Sequence, residues 1–281
     1  MAVIRAAITQ TTWTGDKESM IKKHEEFARS AAADGAQVIC FQELFYGPYF
    51  GITQDKKYYE FAEPADGPVV QRFSALAREL HLVMILPIYE EAMPGVYYNT
   101  AVVVDSDGSV VGKYRKNHIP NLDKFWEKFY FRPGNLGWPV FQTSIGKVGV
   151  TICYDRHFPE LADARPGRRR DRVQPQRLQT RPVEPALGAG ADRRGRRQRV
   201  LRAGAEPGRP GEQRVRRRGG RLLRHLVRGD PQGNYVGEVG SSTEEQVLIR
   251  DLELDKIREV RDDWQFYRDR RPDAYGLIVE P

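Results

Sequence analysis

A chain of 281 residues with 40% hydrophobic content is long enough to bury a sizeable core as one domain, residues 1–281. No membrane span is expected, because no run of about 18 apolar residues occurs. The N-terminus, MAVIRAAITQ, lacks the basic-then-apolar layout of a signal peptide. Two cysteines make no disulfide framework, and a reducing, cytoplasmic setting is expected.

The net charge of +7 is unevenly placed. Residues 161–229 hold 21 arginines, no lysine and six acids, a local charge of +15. The rest of the chain has 24 basic and 32 acidic residues and stands at −8. The whole-chain charge is therefore no argument for a nucleic-acid partner.

In chain order, residues 3–9 form a plausible first strand. Residues 17–34 have helical spacing, with Ile21, Phe27 and Ala31 on one face and Gly35 as the stop. QVICF (37–41) is a short buried strand that ends at Gln42 and Glu43. Residues 69–80 form a second amphipathic helix, 82–86 and 99–104 apolar strands, and 105–108 a turn. GKVGVTIC (146–153) is a strand with the polar Tyr154, Asp155, Arg156 and His157 directly after it. Past residue 230, strands are expected at 235–238 and 245–251, and a helix at 255–264. Alternating strands and helices point to stacked α and β layers.

Residues 161–229 fit neither flank. All 29 aromatic residues lie outside them, where about nine would be expected by proportion. One reading is a disordered, arginine-rich insertion. The composition is also what GC-rich DNA encodes when read out of frame. Arg169 to Arg177 can be encoded so that a one-base shift reads AEIVFNPN, a strand and turn. The same shift permits TAAAVANGYFV within Asp192 to Arg202, YGDEAVDFYGTSYV within Val215 to Arg228, and WRTLGLAGAE from Leu161. We therefore read this segment as frameshifted, with borders near Glu160 and Gly229.

Candidate chemistry sits at strand ends. Cys153 closes an apolar strand before a polar turn, whereas Cys40 lies inside QVICF and is expected to pack in the core. Glu43 follows the second strand, and a carboxylate buried there needs a partner. Lys116 in GKYRKNHIP could be a solvated basic residue beside Lys113 and Arg115. Glu127 in FWEKFYFRPGN could be a helix-surface acid. No Cys/His cluster has zinc spacing, and no metal or cofactor is expected.

Taken in order, FQELF, YRKNHIP, FYFRPGN, GVTICYDRHFPE and DLELDKIREVRDDWQFYRDRRPDAYG resemble the nitrilase superfamily of carbon–nitrogen hydrolases. The resemblance covers residues 1–160 and 230–281, and the one-base-shifted pieces fall in family-like order between them. As written, 161–229 departs from the family throughout.

The resemblance implies a four-layer α-β-β-α sandwich of the nitrilase type, disrupted at about 161–229, and a homodimer or larger oligomer whose tails (here 267–276) reach the neighbouring subunit. It implies Cys153 as nucleophile, Glu43 as proton acceptor and donor, and Lys116 as oxyanion stabiliser with the backbone N–H of Tyr154. Glu127 would hold the lysine and orient substrate. Arg156 and His157 are similar to residues of enzymes that cleave N-carbamoyl amino acids, including β-ureidopropionases, where an arginine holds the substrate carboxylate. An N-carbamoyl amino acid is the first expectation, with N-carbamoylputrescine, whose ammonium Arg156 would repel, as the runner-up. A general amidase or nitrilase stays open. So does a different class, a nucleic-acid-binding arm on an idle scaffold, though residues 161–229 offer no aromatic for base stacking.

Overall fold

The computed structural model describes residues 3–158, the strand backbones 176–180, 202–206 and 225–229, and residues 236–276 except 238–239, 242–243, 264–265, 270 and 275. Its strands, in chain order, form two sheets. The first holds β1 (Val3–Gln10), β2 (Val38–Cys40), β3 (Val83–Met93), β4 (Val96–Val104), β5 (Val110–Arg115) and β11 (Gln246–Glu253), in the order β11-β1-β2-β3-β4-β5. The second holds β6 (Val140–Thr143), β7 (Gly146–Ile152), β8 (Gln176–Thr180), β9 (Arg202–Glu206) and β10 (His225–Gly229), in the order β10-β9-β8-β7-β6. β1, β2 and β3 run parallel, while β4, β5 and β11 join antiparallel.

Strand alternation builds the layers. Ala7, Ile39, Met84, Leu86, Val102 and Val104 face helices α1 (Lys17–Ala33) and α2 (Pro68–Leu80). Their neighbours Ala6, Ile8, Val38, Cys40, Val83 and Val103 turn the other way, to meet Phe141, Val148, Val150 and Ile152 of the second sheet. A sheet buried on both faces needs continuous apolar runs, which is why β2 and residues 83–89 of β3 read as unbroken hydrophobic stretches. Three layers of the expected sandwich are thus present. Residues that could supply the outer helices lie outside the described ones.

The helices end as their sequences direct. Asp16 caps α1 by accepting the Ser19 N–H at 2.8 Å, and Gly35 takes a left-handed φ of 78° just past its end. α2 opens on Pro68.

Three expectations change. The hairpin β3–β4 runs to Met93 and back from Val96, well beyond the apolar run at 82–86. Its polar extension is held by Glu90, which accepts from Lys113, Arg115 and Thr100. Burial alone would raise the Glu90 pKa, but these partners outweigh it and hold it at about 2. Residues 236–237 form a bend where a strand is expected, because Gly237 has a φ of 75°; Tyr235 and Glu238 lie outside the described residues. Finally, the arginine-rich window, where the sandwich is expected to be disrupted, carries β8, β9 and β10, with β8 running parallel to β7 from Val148↔Gln176 to Ile152↔Thr180. The open edge of β7 offers backbone N–H and C=O groups, which accept a strand whatever its side chains. The remainder of the window lies outside the described residues, as does Trp264 at the expected end of the last helix, observed as α3 (Asp255–Asp263).

Candidate active site

Three segments that leave strand ends and one short helical turn converge on one point. The chain leaves β2 at Cys40 and runs beside β3, Phe41 and Phe45 donating their N–H groups to Ile85 and Pro87. It turns at Leu44, whose φ of 55° is unusual for a branched side chain. This turn carries Glu43. The strand stops short of Glu43, so alternation from Cys40 does not set its direction.

Lys116 follows β5. Its N–H donates to the Asn99 carbonyl at 2.8 Å, and its own carbonyl accepts the Gly134 N–H at 2.7 Å. That approach explains the glycine in FYFRPGN: a Cβ at Gly134 would lie 2.1 Å from the Arg115 carbonyl oxygen. Glu127 opens a single helical turn, Glu127–Phe129. Cys153 follows β7 with a φ of 49° and opens the short turn Cys153–His157.

All four side chains are withdrawn from solvent, Lys116, Glu127 and Cys153 completely. The Lys116 ammonium donates to Glu43 Oε1 at 2.9 Å and to Glu127 Oε2 at 2.5 Å. Neither a solvated lysine nor a helix-surface glutamate is what the fold makes of them. Glu43 Oε1 also accepts from Asn99 Nδ2 at 2.6 Å, and Glu127 Oε1 accepts from the Tyr49 hydroxyl at 2.7 Å. Glu43 Oε2 is buried with no hydrogen-bond partner among the described residues. Asn99 and Tyr49 were not singled out in the sequence; an asparagine inside a strand and a tyrosine in an aromatic loop carry no local sign of such a role.

Electrostatics follow from this burial. Desolvation pulls the Lys116 pKa down, but Cys153, Glu127 and Glu43 outweigh it and hold it well above 10.5. Desolvation pushes the Glu127 carboxyl upward, with Glu43 adding to the push and Lys116 opposing it. Burial, then Glu127, Glu43 and Cys153, raises Tyr49 well above 10. Glu43, Glu127 and Cys153 each offer a ligand atom within 4.8 Å of the others, a set that could hold a metal ion. The ammonium of Lys116 already serves both carboxylates as their cation.

The flanking turn is more buried than a polar surface turn would be. Arg156 is buried, with Nε 3.4 Å from His157 Nε2. Tyr154 is half-buried, its ring centroid 5.5 Å from that of His157.

Known proteins carry the same framework. The carbon-nitrogen hydrolase family matches residues 5–166. The chain belongs to this family. It is a carbon–nitrogen hydrolase of the nitrilase superfamily, a class that acts on linear amides. It is 35% identical to an N-carbamoylputrescine amidase of Solanum tuberosum, over 99% of this chain and 95% of that protein. A beta-ureidopropionase of Arabidopsis thaliana is also 35% identical, but over 54% of this chain and 38% of that protein. The crystal structure of a carbon-nitrogen hydrolase from Helicobacter pylori G27 superposes with a TM-score of 0.82 at 26% identity, covering 99% of both chains. The family match of this hydrolase ends at residue 166, just inside the arginine-rich window. No helix among the described residues is long and apolar enough to cross a membrane.

Proposed function

We propose that this hydrolase cleaves an N-carbamoyl amine of the N-carbamoylputrescine kind through a thioester on Cys153. The observation that carries the reaction type is the buried meeting of Glu43, Lys116, Glu127 and Cys153. Amide-like C–N bonds are poor electrophiles and need a strong nucleophile with a stabilised oxyanion. Glu43 Oε1 is committed to Lys116 and Asn99, so Oε2 is the oxygen available to take the thiol proton. The thiolate attacks the carbamoyl carbon, and an S–C bond forms. Lys116 and the backbone N–H of Tyr154 stabilise the oxyanion. The C–N bond breaks as Glu43 returns the proton to the leaving amine. Water, deprotonated by Glu43, then attacks the thioester, here an S-carbamoyl group; the S–C bond breaks, Glu43 returns the proton to the sulfur, and the carbamic acid released breaks down to carbon dioxide and ammonia. Glu127 holds the Lys116 ammonium in place throughout.

This order of substrates reverses the sequence expectation. Four N-carbamoylputrescine amidases are 32–35% identical over 96–99% of the chain, whereas the beta-ureidopropionase match spans about half of it. Arg156, on which a carbamoyl amino acid was favoured, is buried and lies against His157. We further propose that residues 161–229 are read one base out of frame, that the restored chain is the competent enzyme, and that it assembles as a homodimer or larger through its 267–276 tail. The end of the family match at residue 166 supports the first of these.

The substrate test compares N-carbamoylputrescine with N-carbamoyl-β-alanine in the frame-restored chain, by ammonia release. At least a ~10-fold higher kcat/KM is expected for the former, the size of one charged hydrogen bond. Equal efficiencies, or the reverse order, reject the substrate assignment.

A further inference from the structure

Asp155 is fully buried two residues after Cys153, and its carboxylate reaches two separate parts of the chain. Oδ2 accepts from the Ile152 N–H at 3.1 Å and from the Tyr114 hydroxyl at 2.6 Å. Oδ1 lies 2.9 Å from both the N–H and the ring Nδ1 of His118. Ile152 is the residue before Cys153, whereas Tyr114 and His118 stand two residues either side of Lys116. The Tyr114 oxygen also accepts from the Asn117 N–H at 3.2 Å. The His118 ring stacks on Phe158 at 3.6 Å between centroids and 5° between planes, past the far end of the Cys153 turn.

We propose that Asp155 is a positioning residue that clamps the Lys116 loop to the Cys153 turn and so sets the distance between ammonium and sulfur. The inference rests on Cys153 as nucleophile. A residue at a φ of 49° persists only where its surroundings over-determine it. Here the carboxylate ties the residue before Cys153 to the Lys116 loop. Carboxylate chemistry is required: both oxygens accept from donors, and an asparagine could satisfy one oxygen's donors but would turn an N–H₂ toward the other's. A displacement of about 1 Å between reacting groups can cost roughly 10²-fold in rate.

The test is Asp155→Asn with Tyr114→Phe, which removes one donor while keeping the ring. Cys153 alkylation by iodoacetamide is followed against pH in the full chain as written, and turnover of N-carbamoylputrescine in the frame-restored chain. Sulfur faces Lys116, Glu43, Glu127 and Tyr49, and separating it from the one cation among them raises its pKa. Asp155→Asn is expected to move the alkylation midpoint upward and to lower kcat about 10–100-fold with little change in KM. Tyr114→Phe is expected to move both in the same direction by less. Unchanged midpoint and kcat per folded molecule in both variants, or in Tyr114→Phe if Asp155→Asn does not fold, would overturn the clamp. Full turnover by Cys153→Ser would instead reject the nucleophile beneath it.

Discussion

The Lys116 ammonium donates to Glu127 at 2.5 Å in a place where neither side chain touches solvent. A buried ion pair of this kind contributes little net stability while intact, but removing one partner leaves the other charged and unpaired. Lys116→Met would leave two carboxylates facing one another. It is expected to destabilise the chain by about 3–5 kcal/mol and to lower kcat by about 10²–10³-fold through loss of the oxyanion donor. Glu127→Gln keeps an acceptor for the ammonium and should cost less stability. Urea unfolding with steady-state kinetics checks both; Lys116→Met turnover within tenfold of wild type counts against the assignment.

The two cysteines should separate cleanly. Cys40 sits within β2 in the layer between the sheets, and Cys153 sits at a strained turn in contact with the charged cluster. Cys153→Ser in the frame-restored chain is expected to abolish hydrolysis, and Cys40→Ser to keep most of it. Ammonia release from either variant decides the matter, and a dead Cys40→Ser that remains folded would reassign the nucleophile.

His24 gives the fold a pH dependence away from the active site. Its ring is fully buried on α1 among Phe27, Phe41 and Phe45, with Nδ1 2.8 Å from the Met20 carbonyl. Burial lowers its pKa from 6.5 to about 4. The unfolded chain therefore takes up the proton first. The contribution of neutral His24 is complete above pH 6.5 and is lost as the pH falls toward about 4, amounting to roughly 3 kcal/mol. Urea midpoints at pH 7.5 and 4.5 should diverge for wild type and converge for His24→Leu; parallel losses in the two would remove His24 as the cause.

The chain as written is expected to lack turnover. Its window carries 21 arginines and no aromatic residue, and each unpaired guanidinium buried in a sheet costs several kcal/mol against a domain stability of about 5–15 kcal/mol. Expressing the written and one-base-restored chains side by side, with the coding DNA resequenced across codons 160–230, tests this directly. A written chain that melts cooperatively and turns over substrate would refute the frame reading; salt-dependent RNA binding without turnover would favour the nucleic-acid class instead.

Periodicity and turn chemistry were enough to place β1, α1, α2 and β7, because each lies in one stretch whose apolar spacing matches its own geometry. Motif order was enough to single out Glu43, Lys116, Glu127 and Cys153 as a set. It could not tell a solvated lysine from a buried one, since that depends on which carboxylates arrive from elsewhere. Asn99 meets Glu43 across 56 residues, Tyr49 meets Glu127 across 78, and Tyr114 meets Asp155 across 41. None of these partners leaves a local trace, because a hydrogen bond between strand ends is encoded by the register of whole sheets. The packing of two sheets brings those ends together, and the desolvation that follows turns ordinary charged residues into a coupled site.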